Sequence, residues 1–327
     1  AGVDVWYDLS GNNRGFSQLT GGDQPVYNTS DTDFGNAINF NGAKFLENKD
    51  HIPLYELITN GVDSSVFIVF KSGAGSNYYQ TLLSTKKEGG SSSDLLLDIL
   101  APYSDGNMEI RWGLNTDINN IGFDGALRDE PVMLKALKST TTSQVYVNNS
   151  VSLNSVIGAP ENSVIDTMRL GRRAYTDGSD TNDRFQGQIA EVIILNKIVS
   201  DSERYYISHY LSKKWGLTTI IDSDGDTYAD EIESSVGASP VDPTSFPDAD
   251  ADGVGDTIDK FPFDDALSIN PTITANGLLI EIDRIVSPHI TVEGNTTIYN
   301  HLQTTANLKL WLDASQVHAN FGNPAAN

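Results

Sequence analysis

Two acidic segments place carboxylates at alternate positions, the spacing with which a short loop can surround a hard cation. The candidate ligands of the first loop are Asp222, Asp224, Asp226, Tyr228, Asp230 and Glu233, and those of the second are Asp248, Asp250, Asp252, Val254, Asp256 and Asp259. A hard divalent cation takes six to eight oxygen ligands, and alternate residues of a tight loop can all point inward at it. The spacing therefore predicts two metal-binding loops.

The glycines differ between these two loops. Gly253 lies at the expected sharp turn of the second loop, whereas Gly225 lies two residues earlier relative to the ligands of the first. This departs from an EF-hand, so the ligand set of the first loop stays open.

The charge of the chain is concentrated around the loops. The sequence has 21 basic and 44 acidic residues, for a net charge of −23, and residues 222–265 contain 14 of the acids with Lys260 as their single base. A chain this acidic repels nucleic acid and anionic membrane surfaces, so neither is expected as a partner. An acidic run can also be a flexible, solvated tether, and this interpretation competes with metal binding.

The two loops, with Ser239-Pro240-Val241-Asp242-Pro243 between them, resemble thrombospondin type 3 repeats over residues 222–265. The resemblance implies Ca²⁺ rather than Mg²⁺, since several carboxylates in a flexible loop suit the larger ion. Without the metal, such a density of carboxylates repels itself and the segment is expected to be extended. With the metal we expect a stiff spacer, and because calcium is millimolar outside cells, an extracellular location.

The rest of the composition excludes several classes of site. There are no cysteines, which excludes disulfides, thiol catalysis and thiolate metal sites, and the five histidines show no paired spacing. No apolar run approaches the length of a membrane span, so membrane insertion is not expected, and no leader peptide is recognised at Ala1. The 39% hydrophobic content is enough to build a substantial core.

Residues 1–199 show period-two apolar alternation interrupted by Gly, Asn, Asp and Ser. The predicted strands are Ser65–Lys71, Gln80–Ser84, Leu95–Leu100, Met108–Gly113, Val132–Lys138, Gln144–Val147 and Ile189–Leu195. Many short strands separated by turn-rich segments indicate an all-β, antiparallel sandwich.

One helix is predicted after the strands. Ser200 and Glu203 have the spacing of a capping box, and Gly216 is a natural helix terminator. Between them, an apolar stripe at helical spacing is formed by Ile207, Tyr210, Leu211 and Trp215. The predicted organisation is a sandwich domain at 1–217 with this short C-terminal helix, a calcium-binding linker at 218–268, a β-rich connecting segment at 269–304 and a strand within 305–327.

Residues 1–217 resemble the laminin-G-like, concanavalin-A-like jelly-roll domains of bacterial surface proteins. The resemblance is carried by Trp6, Asp8, Ser10-Gly11-Asn12, Pro25-x-Tyr27, Phe40-Asn41-Gly42, Phe45-Leu46, Gly187-x-Ile189-Ala190-Glu191 and the segment 200–217. It implies a jelly-roll sandwich, a fold whose families include sugar-binding, protein-binding, enzymatic and structural domains, so the fold alone selects no function.

No catalytic residues are assigned, and the chain is predicted not to be an enzyme. The E-x-D-x-x-E motif of jelly-roll glucanases does not occur, and Glu191, the best single candidate acid, is interpreted as structural. Glycan binding stays open, since aromatic side chains can stack on sugars although core packing accounts for them equally well. The aromatic candidates are Tyr78, Tyr79, Tyr103, Trp112 and Tyr175.

The last segment departs from the family pattern. Leu310-Trp311-Leu312-Asp313-Ala314-Ser315 is expected before Val5–Asn13, not after the calcium loops. A sandwich that lacks this strand has an open groove, and a strand with Leu308, Leu310 and Leu312 on one face and Trp311 on the other can fill it by β-strand addition. Joined head to tail, copies of the chain would form an open filament.

Three arrangements are compatible with this order. The strand can complete the sandwich of another copy without a covalent bond, the chain can be one repeat of a giant tandem protein, or the tail can fold back onto its own domain. The stiff spacer argues against the third arrangement. We therefore interpret the chain as a structural unit of an extracellular filament or giant adhesin. A monomeric secreted carbohydrate-binding lectin module is the alternative.

Overall fold

The computed structural model describes residues 2–48, 63–73, 79–87, 95–101, 107–112, 117–121, 127–139, 142–154, 165–174, 184–259, 262–263, 265, 272–274, 277–279 and 308–313. The chain divides into two compact units, each described by itself below. The first contains Ala1–Ser200, Lys214–Gly216 and Tyr299–Asn327, and the second contains Asp201–Lys213 and Leu217–Ile298.

The first unit contains two large antiparallel sheets, with strands numbered along the chain. One sheet has, in spatial order, β1 (Val5–Trp6), β2 (Phe16–Ser17), β5 (Leu46–Asn48), β14 (Ile165–Leu170), β7 (Thr81–Lys87), β8 (Leu95–Leu100), β9 (Met108–Trp112) and β10 (Asp117–Ile121). The other has β13 (Ser150–Asn154), β12 (Ser143–Val147), β11 (Pro131–Lys138), β6 (Ser64–Ser72), β15 (Gln186–Leu195), β4 (Gly35–Asn41) and β3 (Val26–Asp31).

The chain crosses repeatedly between these sheets, for example from β4 to β5, from β5 to β6 and from β13 to β14. The predicted all-β antiparallel sandwich is confirmed, and each of the seven predicted strands is present. The core contains fully buried aromatic residues from both sheets, including Trp6, Phe16, Phe40, Phe67 and Phe70.

The sequence of β6 is a nearly continuous apolar run because the strand is central and covered on both faces. It pairs with β11 on one side and β15 on the other, and Val66–Phe70 are all fully buried. Strands β1, β2 and β10 are among the eight strands from β1 to β15 that were not predicted. The first two have only two residues each, and β10 reads Asp-Ile-Asn-Asn-Ile, so none of the three shows a clear apolar alternation.

The edge of β15 that faces away from β6 is shared by two strands. Strand β4 pairs with residues Gln186–Ile189 of β15, and β18 (Leu308–Asp313) pairs antiparallel with residues Glu191–Leu195. The expected strand at the end of the chain is therefore present, and in this structure it lies against the chain's own sandwich.

The second unit contains the predicted metal loops, helix α2 (Asp230–Val236) and helix α1 (Asp201–Lys214) except for its last residue, Lys214, which belongs to the first unit. Helix α1 is the predicted helix, and Ile207, Tyr210 and Leu211 of its apolar stripe are buried. Helix α2 was not predicted. A short hairpin is formed by β16 (Thr272–Thr274) and β17 (Gly277–Leu279), and the remaining predicted β pattern of 269–304 lies outside the described residues.

Candidate metal centre and assembly strand

The two predicted metal loops, Asp222–Glu233 and Asp248–Asp259, follow the same backbone path. In both, the fourth and the sixth residues have left-handed backbone angles. These residues are Gly225 (φ 88°) and Thr227 (φ 90°) in the first loop, and Ala251 (φ 61°) and Gly253 (φ 94°) in the second. Each loop therefore has glycine at only one of the two positions that favour it, which explains why the glycines are displaced relative to each other in the sequence.

The first three aspartates of each loop accept backbone hydrogen bonds, and Asp222 does so with both carboxylate oxygens, since its Oδ1 also accepts the Gly225 N–H (2.6 Å). In the first loop the acceptors of the Thr227, Asp226 and Tyr228 N–H groups are Asp222 (2.9 Å), Asp224 (3.2 Å) and Asp226 (2.8 Å). In the second loop the acceptors of the Gly253, Asp252 and Val254 N–H groups are Asp248 (2.9 Å), Asp250 (3.3 Å) and Asp252 (2.8 Å). In the five aspartates other than Asp222, the bond through one carboxylate oxygen orients the second one.

The carboxylates converge in each loop. One oxygen from each of Asp222, Asp224 and Asp226 lies within 4.8 Å of the others, and the same holds for Asp248, Asp250 and Asp252. Within the described part of the chain, five buried oxygens of these aspartates have no hydrogen-bond donor. They are the Oδ2 atoms of Asp224, Asp226, Asp250 and Asp252 and the Oδ1 atom of Asp248.

Glu233 is the last candidate ligand of the first loop. Its side chain is fully buried, and neither carboxylate oxygen has a hydrogen-bond donor among the described residues. Helix α2 positions it. Sequence signals for this helix were present, since acids occupy the first turn and Gly237 ends the helix in a left-handed conformation (φ 84°). A buried carboxylate oxygen without a hydrogen-bond donor is costly unless a cation or a proton neutralises its charge. This group of oxygen ligands therefore fits a hard divalent cation.

The pKa values of these acids reflect the same cost of burying carboxylates close together. Burial, followed by repulsion from Asp224 and Asp226, raises the pKa of Glu233 to about 9. Burial also raises the pKa of Asp224 to about 7 and that of Asp226 to about 6, against the favourable effect of backbone hydrogen bonds. Without a metal, the first loop is therefore expected to hold protons at neutral pH.

Without calcium, the second unit is expected to be more stable at pH 5 than at pH 9. The folded-state pKa values exceed the ordinary values, so the contribution of these protons is complete below about pH 4 and is lost as the pH rises through about 6, 7 and 9. Calcium bound by these carboxylates would compete with the protons, so its affinity should rise over the same range. Thermal unfolding with and without calcium tests both trends, and a metal-free unit that gains stability from pH 5 to pH 9 would contradict them.

The left-handed conformation of Thr227 predicts a stabilising substitution. A β-branched residue is strained at φ 90°, and this conformation costs roughly 1–2 kcal/mol outside glycine. Thr227→Gly is therefore expected to raise the free energy of unfolding by about 1 kcal/mol, less the added freedom of the unfolded chain. The matched variant Gly225→Ala should lower it by a similar amount. Denaturant unfolding in calcium measures both, and equal signs would contradict the strain argument.

Two of the predicted ligands brace the loops. The buried Asp230 carboxylate accepts hydrogen bonds from Ser223 N–H (2.8 Å), Ser223 Oγ (2.9 Å) and Ser212 Oγ (2.5 Å), and its Oδ2 lies 3.2 Å from His209 Nδ1. At the equivalent position of the second loop, Asp256 accepts the Ala249 N–H (2.8 Å). Both carboxylates thus hold the second residue of their loop.

The remaining predicted ligands occupy matching positions. Tyr228 and Val254 each donate their N–H group to the aspartate two residues earlier. Their main-chain carbonyl oxygens are therefore the candidate metal ligands at these positions. Asp259, the counterpart of Glu233, is buried and donates its N–H to the Gly255 carbonyl (2.9 Å).

Strand β18 carries the residues predicted for the assembly strand, and it pairs with β15. Opposite its residues Leu308, Leu310, Trp311 and Leu312 lie Leu195, Ile194, Ile193 and Val192, all of which are buried. At the end of this ladder Glu191 is opposite Asp313.

Glu191 has a structural environment. It is fully buried, its Oε2 accepts the Trp215 indole N–H (2.6 Å), and the Lys214 ammonium lies 3.1 Å away. The Trp215 ring in turn packs edge-on against Phe34, with ring centroids 6.1 Å apart. The acid thus joins the segment after α1 to the middle of β15.

Among the candidate sugar-stacking residues, Trp112 is buried in the core and Tyr79 is half-buried with a left-handed backbone (φ 73°). Tyr78, Tyr103 and Tyr175 lie outside the described residues.

No protein-family model and no curated protein matches the chain. Similar solved structures include domain 4 of AbnA, a GH43 extracellular arabinanase from Geobacillus stearothermophilus, in complex with arabinotriose (14% identity, 61% of this chain and 95% of that chain, TM-score 0.42). The CBM40 of the Ruminococcus gnavus IT-sialidase is similar over 51% of this chain and 93% of that chain (14% identity, TM-score 0.42). A Trypanosoma rangeli sialidase is similar over 68% of this chain but 31% of its own (13% identity, TM-score 0.43).

The described helices are too short or too polar for a bilayer, and none of them qualifies as a membrane span.

Proposed function

We propose that this chain is a structural unit of an extracellular filament or giant adhesin, in which the β18 strand of one copy completes the sandwich of the next. The observation that carries the proposal is the shared edge of β15. Residues Glu191–Leu195 lie in the middle of a sheet with β6 on one side, yet the strand on their other side is Leu308–Asp313, which follows the whole second unit along the chain. A strand so far along the chain can be supplied by another copy with the same register.

The same ladder serves both arrangements. Exchange of an identical element between copies preserves every contact of the closed monomer, so the free-energy difference lies mainly in chain connectivity and concentration. A stiff segment between the sandwich and β18, which cannot turn back, favours pairing of β18 with the neighbouring copy. A connection that is flexible favours the chain's own sandwich.

Calcium supplies this stiffness in the proposal. The converging oxygens of the two loops would hold Ca²⁺ through Asp222, Asp224, Asp226 and Glu233 in the first, and Asp248, Asp250, Asp252 and Asp259 in the second. Bound calcium neutralises the carboxylates and keeps both loops folded, and it is abundant enough outside cells to do so. The expected partners are therefore copies of the same chain, joined by strand exchange or as tandem repeats.

The test is the size of the purified chain in calcium, measured by light scattering over a wide range of protein concentrations and by electron microscopy. Filaments or concentration-dependent oligomers that dissolve after chelation are expected. Leu310→Pro should prevent assembly, because proline at that position lacks the N–H that a ladder residue can donate, while Leu310→Val should permit it. The intact mass of native material distinguishes strand exchange from a tandem chain, since a peptide bond between Asn327 and Ala1 excludes exchange at that joint.

The alternative is a monomeric secreted carbohydrate-binding lectin module, and the pairing of β18 with β15 of the same chain favours it. A monodisperse monomer at every concentration, stabilised by a glycan in a thermal-shift screen, would replace the filament proposal.

A further inference from the structure

The side chain of Tyr228 extends from the first metal loop into the second. It is buried, and its hydroxyl oxygen accepts hydrogen bonds from the Thr257 N–H (2.7 Å) and the Thr257 hydroxyl (3.0 Å). Thr257 follows the bracing residue Asp256 and precedes the candidate ligand Asp259 by two positions. A residue of one loop therefore holds the backbone of the other beside its metal-binding end.

The fit around this hydroxyl is tight. A Cβ atom at Gly255 would lie 2.7 Å from the Tyr228 hydroxyl oxygen and 3.1 Å from the Phe246 ring. The Gly255 carbonyl accepts the Asp259 N–H (2.9 Å), so the turn that holds Tyr228 is the one that positions Asp259. A displacement of the phenol would therefore also disturb the part of the second loop that positions the candidate ligand Asp259.

Tyr228 is tied equally closely to its own loop. Its N–H is bound by the Asp226 carboxylate (2.8 Å), and Asp226 belongs to the converging set of the first loop. When a calcium ion binds the carboxylates of the first loop, it also orders the backbone of Tyr228. Its phenol then orders Thr257 in the second loop, so a second ion meets part of its site already arranged.

We infer that the two loops bind calcium cooperatively and that Tyr228 is the positioning residue that couples them. This inference rests on the proposed calcium binding. Coupling between binding sites is reciprocal and usually amounts to a 5–150-fold change in affinity, so inactivating either loop should weaken the other. The phenol contributes through its hydroxyl, whereas the candidate ligand at this position is the main-chain carbonyl, which Tyr228→Phe retains.

The experiment is a calorimetric calcium titration of the full chain in four forms: unmodified, Asp252→Asn, Tyr228→Phe and the double variant. Asp252→Asn disables the second loop. Compared with the unmodified chain, Asp252→Asn should bind calcium in the first loop about fivefold or more weakly. Compared with Tyr228→Phe, the double variant should bind it less than about twofold more weakly. Equal losses in the two backgrounds would overturn the coupling.

The outcomes separate the inference from the proposal beneath it. If calcium causes neither a heat change of either sign nor a shift in the thermal unfolding of the unmodified chain, the calcium sites themselves are refuted. If both loops bind calcium independently, with or without the Tyr228 hydroxyl, only the coupling is refuted. Gly255→Ala provides a second route, because its methyl group would displace the phenol without replacing any candidate ligand residue. It should reduce the coupling as Tyr228→Phe does, and undiminished coupling in this variant would count against the inference.

Discussion

Removal of residues 305–327 is expected to lower the free energy of unfolding of the sandwich by about 3 kcal/mol or more and to abolish assembly. Without β18, residues Glu191–Leu195 of β15 lose the hydrogen bonds to that strand. Val192, Ile193 and Ile194 are fully buried in the intact structure, so the loss leaves buried backbone groups without partners on that edge. Each backbone hydrogen bond contributes about 1 kcal/mol net, and leaving a buried group unpaired costs more than that.

A complementation experiment measures this effect directly. The truncated chain is unfolded in urea alone, with a synthetic peptide of residues 305–327, and with a scrambled peptide of the same composition. The native peptide should restore most of the lost stability and should bind saturably, whereas the scrambled peptide should do neither. Unchanged stability on truncation, together with no peptide binding, would show that the β18–β15 pairing contributes little.

The second large effect concerns Glu233, where substitution should act with opposite signs in the two metal states. Glu233→Gln is expected to weaken calcium binding to the first loop about 100-fold, equivalent to about 2.7 kcal/mol, because it removes a charged ligand. Without calcium the same variant should be more stable than the unmodified chain at pH 8, because the buried carboxyl group, whose pKa is raised to about 9, has to take up a proton on folding that the unfolded chain does not hold at this pH, and the amide avoids that cost.

Glu231→Gln is the matched control, since Glu231 occupies the same helix and is exposed. It should change neither calcium affinity nor metal-free stability by an appreciable amount. Calcium titration and thermal unfolding of the two variants decide the matter. Loss of stability in metal-free Glu233→Gln, or unchanged calcium affinity, would contradict the role given to this residue.

The sequence predicted the elements whose signal is local. Strands β6 and β15 stand out as apolar runs because they are central and buried on both faces, and α1 begins and ends with clear capping residues. The two aspartate triads were recognisable because alternate residues of a tight loop converge without help from distant parts of the chain. Strand β10 escaped prediction because its polar sequence shows no clear apolar alternation.

Other roles depended on contacts that spacing does not encode. Asp230 was read as a ligand from its position, but Ser212 of α1 provides one of its hydrogen-bond donors, and only the fold brings the two together. The bond between Tyr228 and Thr257 likewise joins residues of different loops.

The convergence of the two aspartate triads and the strand-forming character of residues 308–313 were thus determined by the sequence itself, because spacing over a few residues fixes which groups share a loop or a strand face. Only the tertiary structure decided that β18 lies against Glu191–Leu195 and shares that edge with β4. Strand pairing is a long-range choice of hydrogen-bond partner, and it depends on which sheet edge is left open once the other strands have paired.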